Sequence, residues 1–337
     1  MDSRSEAVAA LSTDALAQVR LFRRQFLQLL EIPSLCWPAA EYLRNSNVQE
    51  WLYENLLEEG ENAFLPPERY RMRVLKPLVA RIEQSIIDPE EDEISDNLMS
   101  TLSCFLFGSL PSEAEAAQKK SWVTYTAIPS NSPLLPHEPY VKLQENRNII
   151  SGAGTTGLRT WEAALHLGSY FLSSPEREAI IKGKNVLELG AGTGFLSILC
   201  KKVLGAGRVT ITDGDEGVVD ALKQNLFFED LGPPTEAGVL WWGRALQGSW
   251  VARLAEKEPY DVIIGADVTY DKGVIGALVS TMRECFELWP KVQIIISATI
   301  RNEETFAAFE HACGKHFENV IRTIEIDRTG RSQCLPG

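Results

Sequence analysis

Val186-Leu-Glu188-Leu-Gly190-Ala-Gly192-Thr-Gly194 is the stretch on which the reading of this chain turns. Asn185 to Leu189 reads as a short buried strand, and Leu196 to Leu204 as the helix that leaves the glycines. Glycine is required where the backbone must turn tightly and let a ligand approach with no Cβ in the way. The start of the following helix leaves backbone N–H groups free, and that is where a ligand sits. In doubly wound sheets this place is the crevice beyond the carboxyl ends of the strands.

The surrounding chain supports that frame. Arg208 to Thr212 reads as the second strand, Glu216 to Phe228 as the second helix, and Gly238 to Trp242 as the third strand. Tyr260 to Gly265, Val292 to Ser297 and Asn319 to Ile326 follow as a fourth, fifth and sixth strand. Helices at 273–288 and 302–316 separate them, and Arg159 to Leu172 is a helix ahead of the first strand. Alternation with short loops predicts an α/β fold: a doubly wound, mostly parallel, Rossmann-like sheet covered on both faces.

The first third differs. Residues 7–30, 46–58 and 68–87 carry apolar residues at helical spacing, and a short apolar segment runs from Leu98 to Leu106. An acidic run, Asp88 to Glu93, reads as a solvated loop between helices. Proline-rich chain covers 111–140, and Trp122 to Ile128 within it is β-rich. We therefore expect a helical N-terminal domain over 1–115 and the α/β domain over 116–337.

The bulk numbers narrow the function. Net charge is −13 over 337 residues, which disfavours phosphate backbones and leaves a basic protein partner easier to accommodate. The cysteines, Cys36, Cys104, Cys200, Cys285, Cys313 and Cys334, form no C-x-x-C pair and suit neither a zinc site nor a disulfide framework. We expect no metal. Met1 to Ala10 lacks an apolar signal core, and no run approaches the roughly 18 apolar residues of a membrane span. The expectation is a cytosolic monomer with reduced thiols.

The glycine spacing selects a ligand class. A dinucleotide fingerprint is G-x-G-x-x-G, but the sixth position counted from Gly190 is Phe195. The pattern here is G-x-G-x-G with Glu188 two residues ahead, and no Lys-Ser/Thr follows. Asp213 closes the second strand, where a carboxylate accepts hydrogen bonds from vicinal ribose hydroxyls. The whole set favours S-adenosyl-L-methionine over a nicotinamide cofactor. Asp213 has a rival reading as a helix N-cap, as does Asp215.

Four stretches carry a resemblance: Gly157-Leu-Arg-Thr-Trp161-Glu-Ala-Ala, Glu188 to Gly194, Thr212-Asp213, and Gly265-Ala266-Asp267-Val-Thr-Tyr270. A fifth, Leu240-Trp-Trp242-Gly243, is similar to a tryptophan-glycine that ends the third strand. Together they resemble the seven-β-strand methyltransferases, and within these the group often called methyltransferase family 16, which contains protein lysine methyltransferases. The motifs match over about 120–327, and 1–110 matches only in general character. The Arg-Thr-Trp-Glu-Ala-Ala stretch and the helical first third most resemble the branch whose substrate is eukaryotic elongation factor 2, in a fungal-looking version.

The resemblance implies roles. Trp161, Gly190, Ala191, Gly192, Asp213, Trp242 and Ala266 would hold the cofactor, beside Glu188 and Gly194 of the glycine turn. Trp241 competes with Trp242, which precedes Gly243. Aromatic faces beside a sulfonium are physically sensible, because cations are attracted to π faces; the plain alternative for Trp161 is a core position in its helix. Asp267 and Tyr270 would bind the substrate lysine. A carboxylate there favours the charged amine, so Asp267 is cast as a positioner rather than a strong base. The partner implied is a protein, elongation factor 2. A methyltransferase for another protein or a small molecule, or a non-catalytic cofactor-binding module, are the alternatives. In the family a sixth and seventh strand close the sheet as an antiparallel hairpin. Only Asp327 to Gly337 follow Ile326, so the last strand is expected to be missing or replaced.

Overall fold

In the computed structural model the described residues are 11–58, 64–112, 115, 119–128, 138–146, 156–243 and 259–317. The chain divides into two compact units, Met1–Tyr125 and Thr126–Gly337. The first is helical. Helix α1 (Thr13–Leu27) starts at Ser12, whose hydroxyl accepts from the Ala15 N–H, and it buries Ala15, Val19, Phe22 and Phe26 along one face. A four-residue helix α2 (Ala40–Leu43) leads to α3 (Ser46–Leu56), which Asn45 caps. Helix α4 (Glu68–Ser85) and helix α5 (Asp96–Phe107) follow.

The core of this unit is a single apolar cluster that includes Phe22, Phe26, Trp51, Leu52, Leu75, Leu78 and Ile82. Two of the helical stretches start where expected, at Ser46 and Glu68, and end two residues early, while the first ends at Leu27 rather than at 30 and its expected start lies partly outside the described residues. The apolar segment from Leu98 is helix α5, which buries only Leu98 and leaves Leu106 and Phe107 exposed. Two short strands come next, β1 (Ser121–Thr126) and β2 (Tyr140–Glu145). Strand β2 alternates in burial along its length, but its proline-rich setting hid it in the sequence.

The second unit is the doubly wound sheet. After helices α6 (Glu162–Leu172) and α7 (Pro175–Glu178), strand β3 (Asn185–Leu189) enters the core, buried from Val186 onward. Helix α8 (Phe195–Lys202), β4 (Arg208–Asp213), α9 (Glu216–Phe228) and β5 (Thr235–Val239) follow. Then come β6 (Val262–Ala266), α10 (Lys272–Leu288), β7 (Gln293–Ser297) and α11 (Glu303–His316). The five strands β3 to β7 form a parallel sheet in the order β5-β4-β3-β6-β7. The chain winds outward from β3 to β5, returns to place β6 beside β3, and winds outward again. The strand order therefore reverses between β3 and β6, and a crevice opens past their carboxyl ends.

Two expectations are corrected. The third strand of this sheet is Thr235–Val239, not Gly238 to Trp242. The Leu240 N–H still bonds to the Asp213 carbonyl at 2.9 Å, and then the chain leaves the ladder. The apolar run Val239 to Trp242 suggested strand because its bulk is apolar, but the tryptophans serve the crevice. Trp161 is the N-cap ahead of α6, with extended backbone, rather than a residue inside a helix that begins at Arg159. The expected strand Asn319 to Ile326 and the chain after it lie outside the described residues. Among the described residues no helix is long and apolar enough to cross a membrane, and Cys36, Cys104, Cys200, Cys285 and Cys313 are free thiols.

Candidate functional site

A cavity of about 730 Å³ lies at the reversal point. That size suits a small-molecule cofactor. Trp161, Glu188, Gly190, Ala191, Gly192, Asp213, Trp242, Ala266, Asp267 and Tyr270 all line it. Gly194, the remaining residue singled out in the sequence, does not. It starts α8 in the left-handed conformation (φ 83°), and a Cβ on it would lie 2.2 Å from Leu222 Cδ1. Its lack of a side chain lets α8 begin against α9; it shapes the turn without facing the cavity.

Gly190 follows β3 with φ 67°. A Cβ there would lie 2.7 Å from Val268 and 3.2–3.3 Å from the Trp242 ring. The indole of Trp242 thus closes down on the glycine turn, and its buried Nε1 has no hydrogen-bond partner among the described residues. Trp241 also lines the cavity but is 43% exposed, and its Nε1 donates to the Gly214 carbonyl. Packing on the glycine turn distinguishes Trp242 from its neighbour.

Glu188 is buried, and its Oε2 accepts both the N–H and the hydroxyl of Ser197. Ser197 lies in the first turn of α8, whose N-cap is a glycine with no side chain to offer. The strand carboxyl therefore does the capping. Burial pushes the Glu188 carboxyl up to about 8. Asp213 accepts from the Gly192 N–H at 3.0 Å and from the Asp215 N–H at 3.1 Å. Burial raises its pKa as well. Asp215, not Asp213, is the N-cap of α9, accepting from the Val218 N–H at 2.9 Å. Asp213 keeps further acceptor capacity on the cavity side.

Asp267 stands just past β6 in the left-handed region (φ 52°), which is uncommon for a residue with a Cβ. Its carboxylate is well engaged. Oδ1 accepts from the Thr299 N–H at 2.9 Å, and Oδ2 accepts from the Ala163 N–H at 3.4 Å and from Arg301 Nη2 at 3.3 Å. Tyr270 is 62% exposed at the cavity rim, with its hydroxyl 3.5 Å from Thr156 Oγ1. Trp161 Nε1 donates to the Thr156 carbonyl at 3.0 Å.

Four contributors, Arg301, Arg159, Glu162 and Thr160, were given no role from the sequence. Arg301 lines the cavity, pairs with Glu162 and Asp267, and sits 5.1 Å from the Trp161 ring centroid. Arg159 lies 5.2 Å from the same ring and 3.9 Å from Glu162. Burial pushes the Glu162 carboxyl up, but a bond from its own N–H and the charge of Arg301 outweigh burial and hold it below its usual value. Thr160 shares its hydroxyl with Glu145 at 2.6 Å and Thr193 at 2.7 Å, locking the approach to α6 against the glycine turn. The signal for Arg301 was its place a few residues past a strand's carboxyl end. Glu162 stood beside Trp161 in plain view. Among the described residues no three His, Cys, Asp or Glu side chains gather to hold a metal ion.

A parallel sheet with this order, a glycine turn under an indole, and a carboxylate closing the neighbouring strand define a doubly wound α/β protein with a small-molecule site at its switch point. The family described as lysine methyltransferase matches residues 142–312. The chain is 46% identical over 300 residues to the protein-lysine N-methyltransferase EFM3 of Chaetomium thermophilum, covering 88% of this chain and 87% of that one. It is 37% identical over 190 residues to EFM3 of Saccharomyces cerevisiae, covering 52% and 53%. It is 28% identical over 313 residues to the human protein-lysine N-methyltransferase EEF2KMT, covering 87% and 86%. The chain belongs to the lysine methyltransferase family, and it is a protein-lysine N-methyltransferase.

Proposed function

We propose that this chain uses S-adenosyl-L-methionine to methylate a lysine of elongation factor 2. The observation that carries the cofactor is the cradle at Gly190, where a side chain would strike Val268 and crowd the Trp242 ring. Trp242 Nε1, buried with no partner among the described residues, and the spare acceptor capacity of Asp213 are further features that suit a polar ligand. Gly190, Ala191 and Gly192 would carry it on their backbone, Asp213 would accept from its ribose, and Trp242, Ala266 and Trp161 would wall it. When bound, S-adenosylmethionine supplies a methyl group on a good thioether leaving group, so positioning accounts for much of the rate.

The chain's own residues supply that positioning. Asp267 is fixed by two backbone N–H groups and an arginine at the end of β6, so its carboxylate cannot swing. Tyr270 guards the rim. Glu188 acts through the turn, by capping α8. The substrate reading is supported by the elongation-factor name carried by the human relative, whose match runs over 87% of this chain. The net charge of −13 supports a protein partner over nucleic acid. We take the helical part as 1–115, the transferase part as 116–337, and the setting as the cytosol, where the protein acts as a monomer.

The test is to incubate the chain with methyl-labelled S-adenosylmethionine and purified elongation factor 2, then locate the label by mass spectrometry. Label on a lysine is expected. No label, with cofactor binding measured by calorimetry, would overturn the substrate and keep the cofactor.

A further inference from the structure

We propose that Arg301 sets the charge of the pocket that receives the substrate amine, so that the amine is held without being locked in its charged form. The inference rests on lysine methylation as the reaction. An ammonium has no lone pair, so it must lose a proton before it attacks the methyl carbon. Carboxylates beside an amine favour the charged form, whereas a neighbouring cation favours the neutral one. Asp267 alone would therefore help binding and hinder reaction.

The structure balances it. Arg301 Nη2 reaches both Asp267 Oδ2 and Glu162 Oε2, and its guanidinium lies over the Trp161 ring. The charged groups around it come from every neighbouring element. Glu162 and Arg159 stand at the start of α6, with Arg159 3.9 Å from Glu162. Asp267 and Tyr270 follow β6. From α10 and α11, Lys272 and Glu304 pair with each other at 2.9 Å, and Glu303 opens the first turn of α11. At the cavity mouth two carboxylates, Glu162 and Asp267, thus meet two guanidiniums, Arg159 and Arg301. Removing Arg301 leaves a net negative charge beside the incoming amine. Removing the charge of Glu162 leaves a net positive one. Arginine suits this post because a single guanidinium nitrogen, Nη2, carries more than one N–H and reaches both carboxylates. Arg301 is a positioning residue: it acts on the amine through charge and through Asp267, and takes no proton itself.

The experiment uses single-turnover methyl transfer to elongation factor 2 as a function of pH, once the wild-type chain has been seen to label it. An inactive wild type would overturn the substrate reading above; the variants address Arg301. Arg301→Met should move the rising limb of the profile up by about one pH unit, a roughly tenfold loss at neutral pH that higher pH recovers. Arg301→Lys should move it back toward wild type. Glu162→Gln should shift the limb downward, opposite in sign. Calorimetric affinity for S-adenosylmethionine should stay within about threefold in each, since none of these groups is assigned to the cofactor. An equal loss at every pH in Arg301→Met would overturn the proposal. If that variant does not fold, an unmoved limb in Glu162→Gln would overturn it equally.

Discussion

The indole of Trp242 lies 3.2–3.3 Å from where a Cβ on Gly190 would stand. These residues come from the ends of different strands, β3 and β5, which are not neighbours in the sheet. Their contact is made possible by a missing side chain, and it forms one wall of the cavity. Gly190→Ala should therefore weaken S-adenosylmethionine binding by tenfold or more, by pushing Trp242 or the turn aside. Gly194→Ala, by contrast, drives a methyl into Leu222 and should lower the melting temperature before it touches affinity. Calorimetry and thermal melting on both variants separate the two glycines. Equal effects on binding would contradict the assignment of Gly194 to the turn alone.

Asp267 should separate by substitution. Ala would strip the Thr299 and Ala163 N–H groups of their acceptor and keep a Cβ at φ 52°. The expected loss is about 1–3 kcal/mol of stability together with methyl transfer. Asn tolerates the left-handed region and retains an oxygen for Thr299, so it should melt close to wild type. It loses the ion pair with Arg301 and should turn over at a small fraction of the wild-type rate. Wild-type turnover in Asp267→Asn would show that the carboxylate charge has no part in catalysis.

Glu188 predicts a pH dependence of stability. Its carboxyl titrates near 8 in the fold, against roughly 4.3 in an unfolded chain. Between those values the folded chain keeps a proton that the unfolded chain gives up, so native stability falls as pH rises through this window. Glutamine does not titrate and still offers Ser197 an acceptor. The melting temperature of Glu188→Gln relative to wild type should therefore climb between about pH 5 and pH 8. A constant difference across that range would contradict the burial account.

The sheet was legible where local chemistry and tertiary demand agree. Asn185–Leu189 was found to the residue, because a buried parallel strand is mostly apolar, here Val186, Leu187 and Leu189, and must end where the glycines begin. Asp213 was legible because its strand ends at it. The third strand was misplaced because Leu240, Trp241 and Trp242 are apolar for the sake of the crevice, and apolarity alone does not say which surface a side chain covers. Strand β2 escaped because a proline-rich stretch, Pro129 to Pro139, leads straight into a short alternating run. Arg301 escaped for a different reason. Its significance is relational: its place past the end of β7 marks the crevice, but its pairing with Glu162 and Asp267 exists only once β6, β7 and the start of α6 are brought side by side.

The central claim is that the crevice past β3 and β6 holds S-adenosylmethionine with Asp213 as an anchoring acid. Calorimetric titration of the cofactor into wild type and Asp213→Ala tests it most directly. The account predicts one site per chain in the wild type, and at least a tenfold weaker one in the variant at a melting temperature that shows it still folded. Absence of binding to wild type, or equal affinity in the two proteins, would contradict it.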